Sequence, residues 1–257
     1  MIREDNYFTL EIIPVPGIRE VLPNDDLAKI FYESLNNNNI LLEEGDIIVI
    51  AQKVVSKAEG RIYQKTDIIP SPFAVQISNY THHDPSKIEL ILQESRRIVR
   101  MANGVLITQT HHGFIMANAG VDSSNSGQKD GLIALPKDPD YSAKSMKNEI
   151  ERLSGKDNLG VIISDTFGRP WRVGHVNLAI GVAGMNAIED YRGEMDSDGK
   201  ELNATQIAVA DELCSAAELV SGKRKRVPFV IIRNYPFVEA EGSAKTLVRD
   251  ELTDIFR

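Results

Sequence analysis

The spacing of short apolar runs along this 257-residue chain limits its fold more than any other feature. The run IIVIA at 47–51 is continuously apolar, which is typical of a strand buried on both faces. Three more β-like runs follow at 104–108, 114–118 and 131–135, separated by turns rich in Gly, Asn and Ser. A regular alternation of strand and helix would not produce this cluster. We therefore expect an α+β fold with mixed sheets rather than a doubly wound parallel sheet.

The segments between these runs have sequence patterns typical of helices. Apolar residues recur at helical intervals, and caps or helix breakers mark the ends. Further strands are predicted at 8–15, 159–165, 176–184 and 227–234. The predicted helices are 24–35 with Asn24 as N-cap, 85–101 after Pro85, 138–155 ending at Gly155, 205–222 ending at Gly222, and a closing helix from Ser243.

Composition excludes several classes of function. The formal net charge of −8 argues against a general nucleic-acid binder, whose surface is basic. No apolar stretch approaches the roughly 20 residues needed to cross a bilayer, and the charged N-terminus lacks the apolar core of a secretory signal. The single cysteine, Cys214, allows no internal disulfide. We expect a soluble cytoplasmic protein that binds neither nucleic acid nor a membrane.

The stretch ISDTFGRPWRVG at 163–174 holds a dense group of functional side chains. Asp165 and Thr166 follow an apolar run, and a carboxylate beside a hydroxyl at the end of a strand suits a divalent cation. Arg169 and Arg172 flank Trp171 and present planar groups that suit a carboxylate or a phosphate. Alternatively, the acid and the hydroxyl cap a turn while the arginines pair with surface acids.

A second polar stretch, ANAGVDSSNSG at 117–127, follows the run 114–118. Its small residues let backbone N–H groups approach a ligand closely, and Asp122 with Asn125 suits a hard cation or a phosphate–metal pair. The same residue types are also typical of a tight turn. Both interpretations stay open from the pattern alone.

Two basic stretches are further candidates for a phosphate site. Lys53 and Lys57 are four residues apart and share a face if this segment is helical, but they also fit a solvated basic turn. In SGKRKRVP at 221–228, four basic residues follow a predicted helix end, where they either complement the helix dipole or clamp nucleotide phosphates. This is not a Walker A loop, because Arg224 follows Lys223 where Ser or Thr is required.

Together these segments resemble the coenzyme F420-0:L-glutamate ligase family, the F420-0:γ-glutamyl ligases. The resemblance runs in the family's order over nearly the whole chain, and ANAGVDSSN and SDTFGRPWR are highly specific. It implies the α+β F420-0:γ-glutamyl ligase-like fold, with two intertwined subdomains in a single ligase domain over 1–257, no C-terminal flavin-reductase-like domain, and an intertwined homodimer. The other matching stretches are PVPGIREVLPNDDLA, IIVIAQKVVSKAEGR, HHGFIMANAGVDSSN, ALPKDPDYSA, ISDTFGRPWRVGHVNLAIGVAG and ADELCSAAELVSGK.

The resemblance also implies an activity. The family's enzymes add L-glutamate to the deazaflavin coenzyme F420-0 with GTP, releasing GDP and phosphate; the first glutamate forms an amide and later ones are joined through the γ-carboxyl. Mg²⁺ or Mn²⁺ and a monovalent cation such as K⁺ are implied, and we expect an acyl-phosphate intermediate. The competing interpretations are a metal-dependent nucleotide phosphohydrolase and a non-catalytic nucleotide- or deazaflavin-binding protein.

Positions that match the family's motifs imply the site residues. The resemblance implies Asp122 and Asp165 as metal ligands and Thr166 as a ligand of a second metal. From the residues themselves, we expect Arg169 and Arg172 to be catalytic groups that position a carboxylate or phosphate on the substrate side. The implied GTP contacts are Ile18, Arg19, Glu20, Val21, Gln52, Lys53, Lys57, Asn125, Ser221, Gly222, Lys223, Arg224, Lys225 and Arg226.

One position departs from the family pattern. Lys223 stands where the family often carries a Gln or Glu that contributes to the second metal. An ammonium group has no lone pair and cannot ligate a cation. Either Lys223 replaces the charge of that metal at the phosphates, or a nearby acid or water completes the site.

Overall fold

The structure is a computed structural model that describes residues 9–123 and 130–255. Helices and mixed sheets coexist in it, so the predicted α+β class is confirmed. The helices are α1 (Leu27–Asn37), α2 (Gln52–Ala58), α3 (Pro72–Thr81), α4 (Pro85–Gln93), α5 (Pro139–Ser154) and α6 (Val209–Ser221). The strands are β1 (Glu11–Val15), β2 (Ile47–Ala51), β3 (Ile62–Gln64), β4 (Ser95–Ala102), β5 (Val105–Thr110), β6 (Ile115–Ala117), β7 (Gly131–Ile133), β8 (Gly160–Arg169), β9 (Arg172–Met185), β10 (Glu189–Asp190), β11 (Gln206–Ile207), β12 (Phe229–Arg233) and β13 (Glu239–Ala240).

The largest sheet in the described ranges has the strand order β1-β12-β2-β8-β9-β13. Strands β2 and β8 are parallel, and every other neighbouring pair is antiparallel. The apolar side chains of β2 are buried except for the half-buried Ala51, as its continuous apolar run predicted. Those of β12 and of the first half of β8 are buried as well. Helices α5 and α6 both pack against β9, which places the main hydrophobic core between this sheet and its helices.

Strands β8 and β9 form a hairpin that continues beyond β2. Ala51, the last residue of β2, pairs with Ser164, whereas β9 keeps pairing with β8 as far as Arg169. The prediction that the strand ends at Asp165 was therefore wrong, because the antiparallel partner continues the hydrogen bonding after the parallel partner has stopped. Asp165 and Thr166 lie at the first positions past the end of β2, so they border the edge of the sheet that β2 leaves open.

A smaller apolar cluster lies between α3, α4 and the three-stranded sheet β4-β5-β6. Ile77, Ile88, Leu90 and Leu106 are buried in it. The closely spaced runs at 104–118 supply β5 and β6 of this sheet, and the run at 131–135 supplies β7, which pairs with β3. This part of the chain lies between α2 and α5 in the sequence. It places Asp122 next to α2, where Asp122 forms an ion pair with Lys53.

Several predicted helix boundaries were wrong. The segment 85–101 is helical only to Gln93, and the remainder becomes β4, because pairing with β5 overrides the helical spacing of its apolar residues. The N-cap of α1 is Asp26, whose carboxylate accepts the backbone N–H of Lys29, and Asn24 instead adopts a positive φ of 68°.

The predicted closing helix is also absent from the described residues. After Ser243 the chain forms a short 3₁₀ helix at Ala244–Leu247 and then only turns. Ala244, Leu247 and Val248 pack against the core, but Leu252 and Ile255 are exposed and contribute no buried face to a longer helix.

Across the ranges that the structure describes, no helix combines the length and the apolar character needed to cross a lipid bilayer.

Candidate functional site

A cavity of about 590 Å³ opens where β2 ends. Its volume is in the range of small-molecule sites, roughly 300–1,000 Å³. Four segments build it: the loop before α1, the β2–α2 connection, the β8–β9 hairpin, and the chain from α6 into β12. These segments are far apart in sequence, and the mixed sheet brings them together.

Most of the residues predicted to contact a nucleotide line this cavity. Lys225 does not, since its ammonium donates to the Val220 carbonyl at 3.2 Å, and Asn125 lies outside the described residues. The predicted contacts in the lining are Ile18, Arg19, Glu20, Val21, Gln52, Lys53, Lys57, Ser221, Gly222, Lys223, Arg224 and Arg226.

The predicted catalytic groups divide into two sets. Asp165 and Thr166 line the cavity, and Asp122 accepts a hydrogen bond from the Lys53 ammonium at 2.5 Å. Arg169 and Arg172 lie further along the hairpin and are absent from the described cavity lining. The Arg169 guanidinium donates to the Val173 carbonyl at 2.6 Å, which orients it along the hairpin tip.

The cavity is basic although the protein is acidic. Among the described residues, six basic side chains line it against the three carboxylates of Glu20, Asp165 and Glu218. Arg19 is fixed by a bidentate pair with Asp25 at 2.6 and 2.7 Å, which holds the pKa of that carboxyl below its ordinary value. A concave basic surface attracts anions such as phosphates and carboxylates. The cavity therefore suits a polyanionic ligand.

Helix α2 places its two lysines on the cavity wall. The segment is helical, so Lys53 and Lys57 share a face, as their spacing allowed. Lys57 is buried and its ammonium pairs with Glu20, while Lys53 pairs with Asp122. Both ammonium groups are thus held in place by carboxylates before any ligand arrives.

Asp165 has a raised pKa in this cavity. Burial raises its pKa to about 6, and the charge of Asp122 adds to the increase. The Thr166 backbone hydrogen bond and the charges of Lys53 and Lys223 act in the opposite direction. The carboxylate is therefore predominantly ionised at neutral pH. Its pKa stays above the ordinary value because the hydrogen bond and the lysine charges do not fully offset the cost of burying the charge.

Two aspartates that influence each other suit one hard cation. No group of three or more His, Cys, Asp or Glu side chains arranged for a metal occurs in the described part of the chain. Mg²⁺, however, commonly uses one or two carboxylates and completes its shell with water and substrate phosphates. Asp122 and Asp165 supply two carboxylates of this kind: Asp165 lines the cavity, whereas Asp122 pairs with Lys53 and is absent from the described cavity lining. The Lys223 ammonium lies 2.5 Å from the Thr166 hydroxyl oxygen, the group that the resemblance implies as a ligand of a second metal.

Among the cavity residues that the sequence did not predict, two contact Thr166 or Lys223. Asn177 pairs with Thr166 across the hairpin, and Glu218 lies in the last turn of α6. The Asn177 amide donates to Glu218 at 2.9 Å. Asn177 can be recognised as a site residue only from the register of the hairpin, which pairs it with Thr166. The only sequence feature that points to Glu218 is its position about one turn before the basic stretch at 223–226.

Known proteins that are similar to this chain belong to one family. A profile of the family described as F420-0:Gamma-glutamyl ligase matches residues 17–234. A protein of Methanothermobacter thermautotrophicus named Coenzyme F420:L-glutamate ligase is 46% identical over 252 residues, covering 96% of this chain and 99% of that protein. Proteins with the same name from Methanopyrus kandleri (45% over 254 residues, 97% and 98%) and Methanocaldococcus jannaschii (46% over 219 residues, 84% and 86%) are also similar.

Proposed function

The chain belongs to the F420-0:γ-glutamyl ligase family, and from that premise we propose that it joins L-glutamate to coenzyme F420-0 with GTP as the energy source. The observation that carries the proposal is the basic cavity with Asp165 on its wall. A ligase of this kind must bring together a nucleotide triphosphate, an acceptor carboxylate and glutamate, all of them anions. Six basic side chains around one cavity meet that requirement.

The chemistry needs an activated carboxylate. A carboxylate does not react with an amine at neutral pH, so the acceptor carboxylate attacks the γ-phosphorus of GTP, and GDP leaves. The glutamate amine then attacks the carbonyl carbon of the acyl phosphate, the C–O bond to phosphate breaks, and the amine loses a proton as the amide forms. The products are the glutamyl amide, GDP and phosphate.

The residues of the chain supply position and charge for these steps. We assign Arg19, Lys53 and Lys57 to the phosphates of GTP, because their cationic groups line the cavity from the loop before α1 and from α2. Positive charge held in a partly desolvated site stabilises the negative charge that shifts between phosphate oxygens during transfer. Lys53 and Lys57 would exchange their present carboxylate partners for phosphate oxygens.

Asp122 and Asp165 would hold a divalent cation, Mg²⁺ or Mn²⁺. When bound, that cation would neutralise part of the negative charge on the phosphates. A monovalent cation such as K⁺ is part of the same proposal. Ionised Asp165 is available for this role at neutral pH, since its pKa is about 6.

We further propose that the chain acts as a homodimer. Trp171 and Val173 at the hairpin tip are 83% and 93% exposed. A second copy that covered this tip would bury both side chains and would also bring Arg169 and Arg172 near a substrate. Light scattering coupled to size-exclusion chromatography tests this, and a monomer at micromolar concentration would contradict it.

The test of function is mass spectrometry of F420-0 incubated with the protein, GTP, Mg²⁺ and L-glutamate. We expect masses increased by one or more glutamyl residues and GDP formation that requires both acceptor and glutamate. Phosphate release that needs neither would support a phosphohydrolase instead. Binding of F420-0 or GTP without turnover would support a non-catalytic binding protein.

Lys57→Met is expected to weaken binding of a non-hydrolysable GTP analogue by roughly 10- to 100-fold. The variant removes a cation that is buried in the cavity wall and keeps an apolar side chain of similar length. Isothermal titration calorimetry measures the change. Lys65→Met is the control, because Lys65 also pairs with an acid, Asp84, but does not line the cavity. Equal affinities for the two variants would refute the assignment of Lys57.

A further inference from the structure

Lys223 lies in a cage of oxygen atoms on the cavity wall. Its ammonium nitrogen is 2.5 Å from the Thr166 hydroxyl oxygen, 3.3 Å from a Glu218 carboxylate oxygen and 3.5 Å from the Asn177 amide oxygen. These oxygens come from β8, α6 and β9, so three elements of the fold converge on one cationic group.

The cage is held together by its own hydrogen bonds. The Thr166 hydroxyl donates to the Asn177 amide oxygen at 2.9 Å, and the Asn177 amide group donates to Glu218 at 2.9 Å. Ser221 donates to the same Glu218 oxygen at 3.3 Å. The hydroxyl, amide and carboxylate groups therefore hold one another in position, and each has an oxygen within 3.5 Å of the ammonium nitrogen.

A hydroxyl, an amide oxygen and a carboxylate are the ligands that hard cations use in proteins. An ammonium group offers three N–H donors, and here three oxygens lie within reach of it. Thr166 directly follows Asp165 in β8, and the charge of Lys223 also acts on Asp165, so the cage lies close to that carboxylate. The cage has the chemistry of a cation site whose occupant is a side chain of the same protein.

We propose that Lys223 is a tethered cation that fills the Thr166–Asn177–Glu218 site, so that this chain binds one divalent cation at Asp122 and Asp165 and no second one at Thr166. The proposal deepens the proposed function, on which it rests only in expecting phosphates at this end of the cavity. The charge on Lys223 would reach those phosphates without the loss of entropy that binding a free ion requires.

The test is to remove the tethered charge and count the metal ions that bind. Lys223→Met keeps most of the side-chain volume, and Lys223→Gln adds an amide oxygen that can serve as a ligand. Mn²⁺ is titrated into each protein with a non-hydrolysable GTP analogue present, and free Mn²⁺ is followed by its paramagnetic resonance signal. We expect one Mn²⁺ per chain for the unaltered protein and two for both variants, with the second held more tightly by Lys223→Gln.

Anomalous diffraction from crystals soaked in Mn²⁺ gives a readout that needs neither nucleotide nor activity. We expect a manganese peak between Thr166 and Glu218 in the variants and none at that position in the unaltered protein. Lys144→Met is the control, because Lys144 is similarly exposed and pairs with Glu241 at 3.4 Å outside the cavity lining. It should leave the Mn²⁺ count at one.

Two results would overturn the proposal. One is a manganese ion at Thr166 in the unaltered protein with Lys223 displaced, and the other is an unchanged Mn²⁺ count in both Lys223 variants. Failure of the proposed function has a different signature. In that case F420-0 would gain no glutamate, while the anomalous peak at Thr166 would still appear only after Lys223 is replaced.

Discussion

Asp165→Asn is expected to abolish glutamate addition and at the same time to make the ligand-free protein harder to unfold. The amide is similar in size to the carboxylate but cannot neutralise a bound cation. Loss of that charge from the reaction centre should lower the rate by at least about 10²- to 10³-fold. Mass spectrometry of the deazaflavin product measures the loss.

The gain in stability follows from the pKa of Asp165. Burial raises this pKa to about 6, whereas the carboxyl in the unfolded chain has the ordinary pKa of 3.8. The folded state therefore binds the proton more tightly. The stability that this provides is complete below about pH 4 and is lost as the pH rises through about 6. Above that pH the ionised carboxylate lowers the free energy of unfolding by about 1–3 kcal/mol, and the uncharged amide of the variant removes this loss.

Thermal unfolding at several pH values separates this effect from others. The melting temperatures of the two proteins should be close at pH 4, diverge between pH 4 and 6, and differ by a few degrees at pH 7.5, with the variant higher. Asp211→Asn is the control, since burial also raises the pKa of Asp211 but this residue accepts the Ala179 N–H outside the cavity lining. It should retain glutamate addition. Full activity in Asp165→Asn would contradict the role assigned to this carboxylate.

The sequence predicted the buried strands well because their signal is local. The continuous apolar run at 47–51 and the predicted strand at 159–165 became the parallel pair at the centre of the sheet. The glycine signals after α5 and α6 also marked the helix ends, since Gly155 and Gly222 both adopt a positive φ. In each case the residues that determine the element lie within it or next to it.

The failures occur where a distant segment decides the outcome. Residues 95–101 have apolar spacing compatible with a helix, yet they form β4 because β5 lies beside them. Asp165 belongs to a strand that continues past β2 only because β9 pairs with it. Pairing partners of this kind are set by the whole sheet and cannot be derived from a short window.

The candidate site shows the same division. Asp165 and Thr166 could be selected from their place at the end of a predicted strand, and the lysines of α2 from their four-residue spacing. Asn177 and Glu218 could not, since their importance lies in contacts with Thr166 and Lys223 that the hairpin and α6 create. Arg169 and Arg172 were chosen for their chemical type, but the position of the hairpin tip separates them from the cavity of the same chain.

Gly181→Ala is expected to destabilise the protein by about 3 kcal/mol, which lowers the melting temperature by roughly 6–12 °C. A Cβ at this position of β9 would lie 2.3 Å from the carbonyl oxygen of Pro139, the first residue of α5. The obstacle is backbone, so no rotation of a side chain can relieve the collision.

Helix α5 cannot easily withdraw from β9 either. The carboxylate of Asp140 accepts the N–H of Val182 at 2.9 Å and that of Ala244 at 2.8 Å, which ties the first turn of the helix to the strand and to the C-terminal segment. Gly168→Ala is a matched control in the same hairpin, because a Cβ there would meet no atom within 4 Å. It should change stability by less than about 0.5 kcal/mol. Equal melting temperatures for the two variants would show that α5 can move away from β9, and that the close packing at Gly181 is not required for the fold.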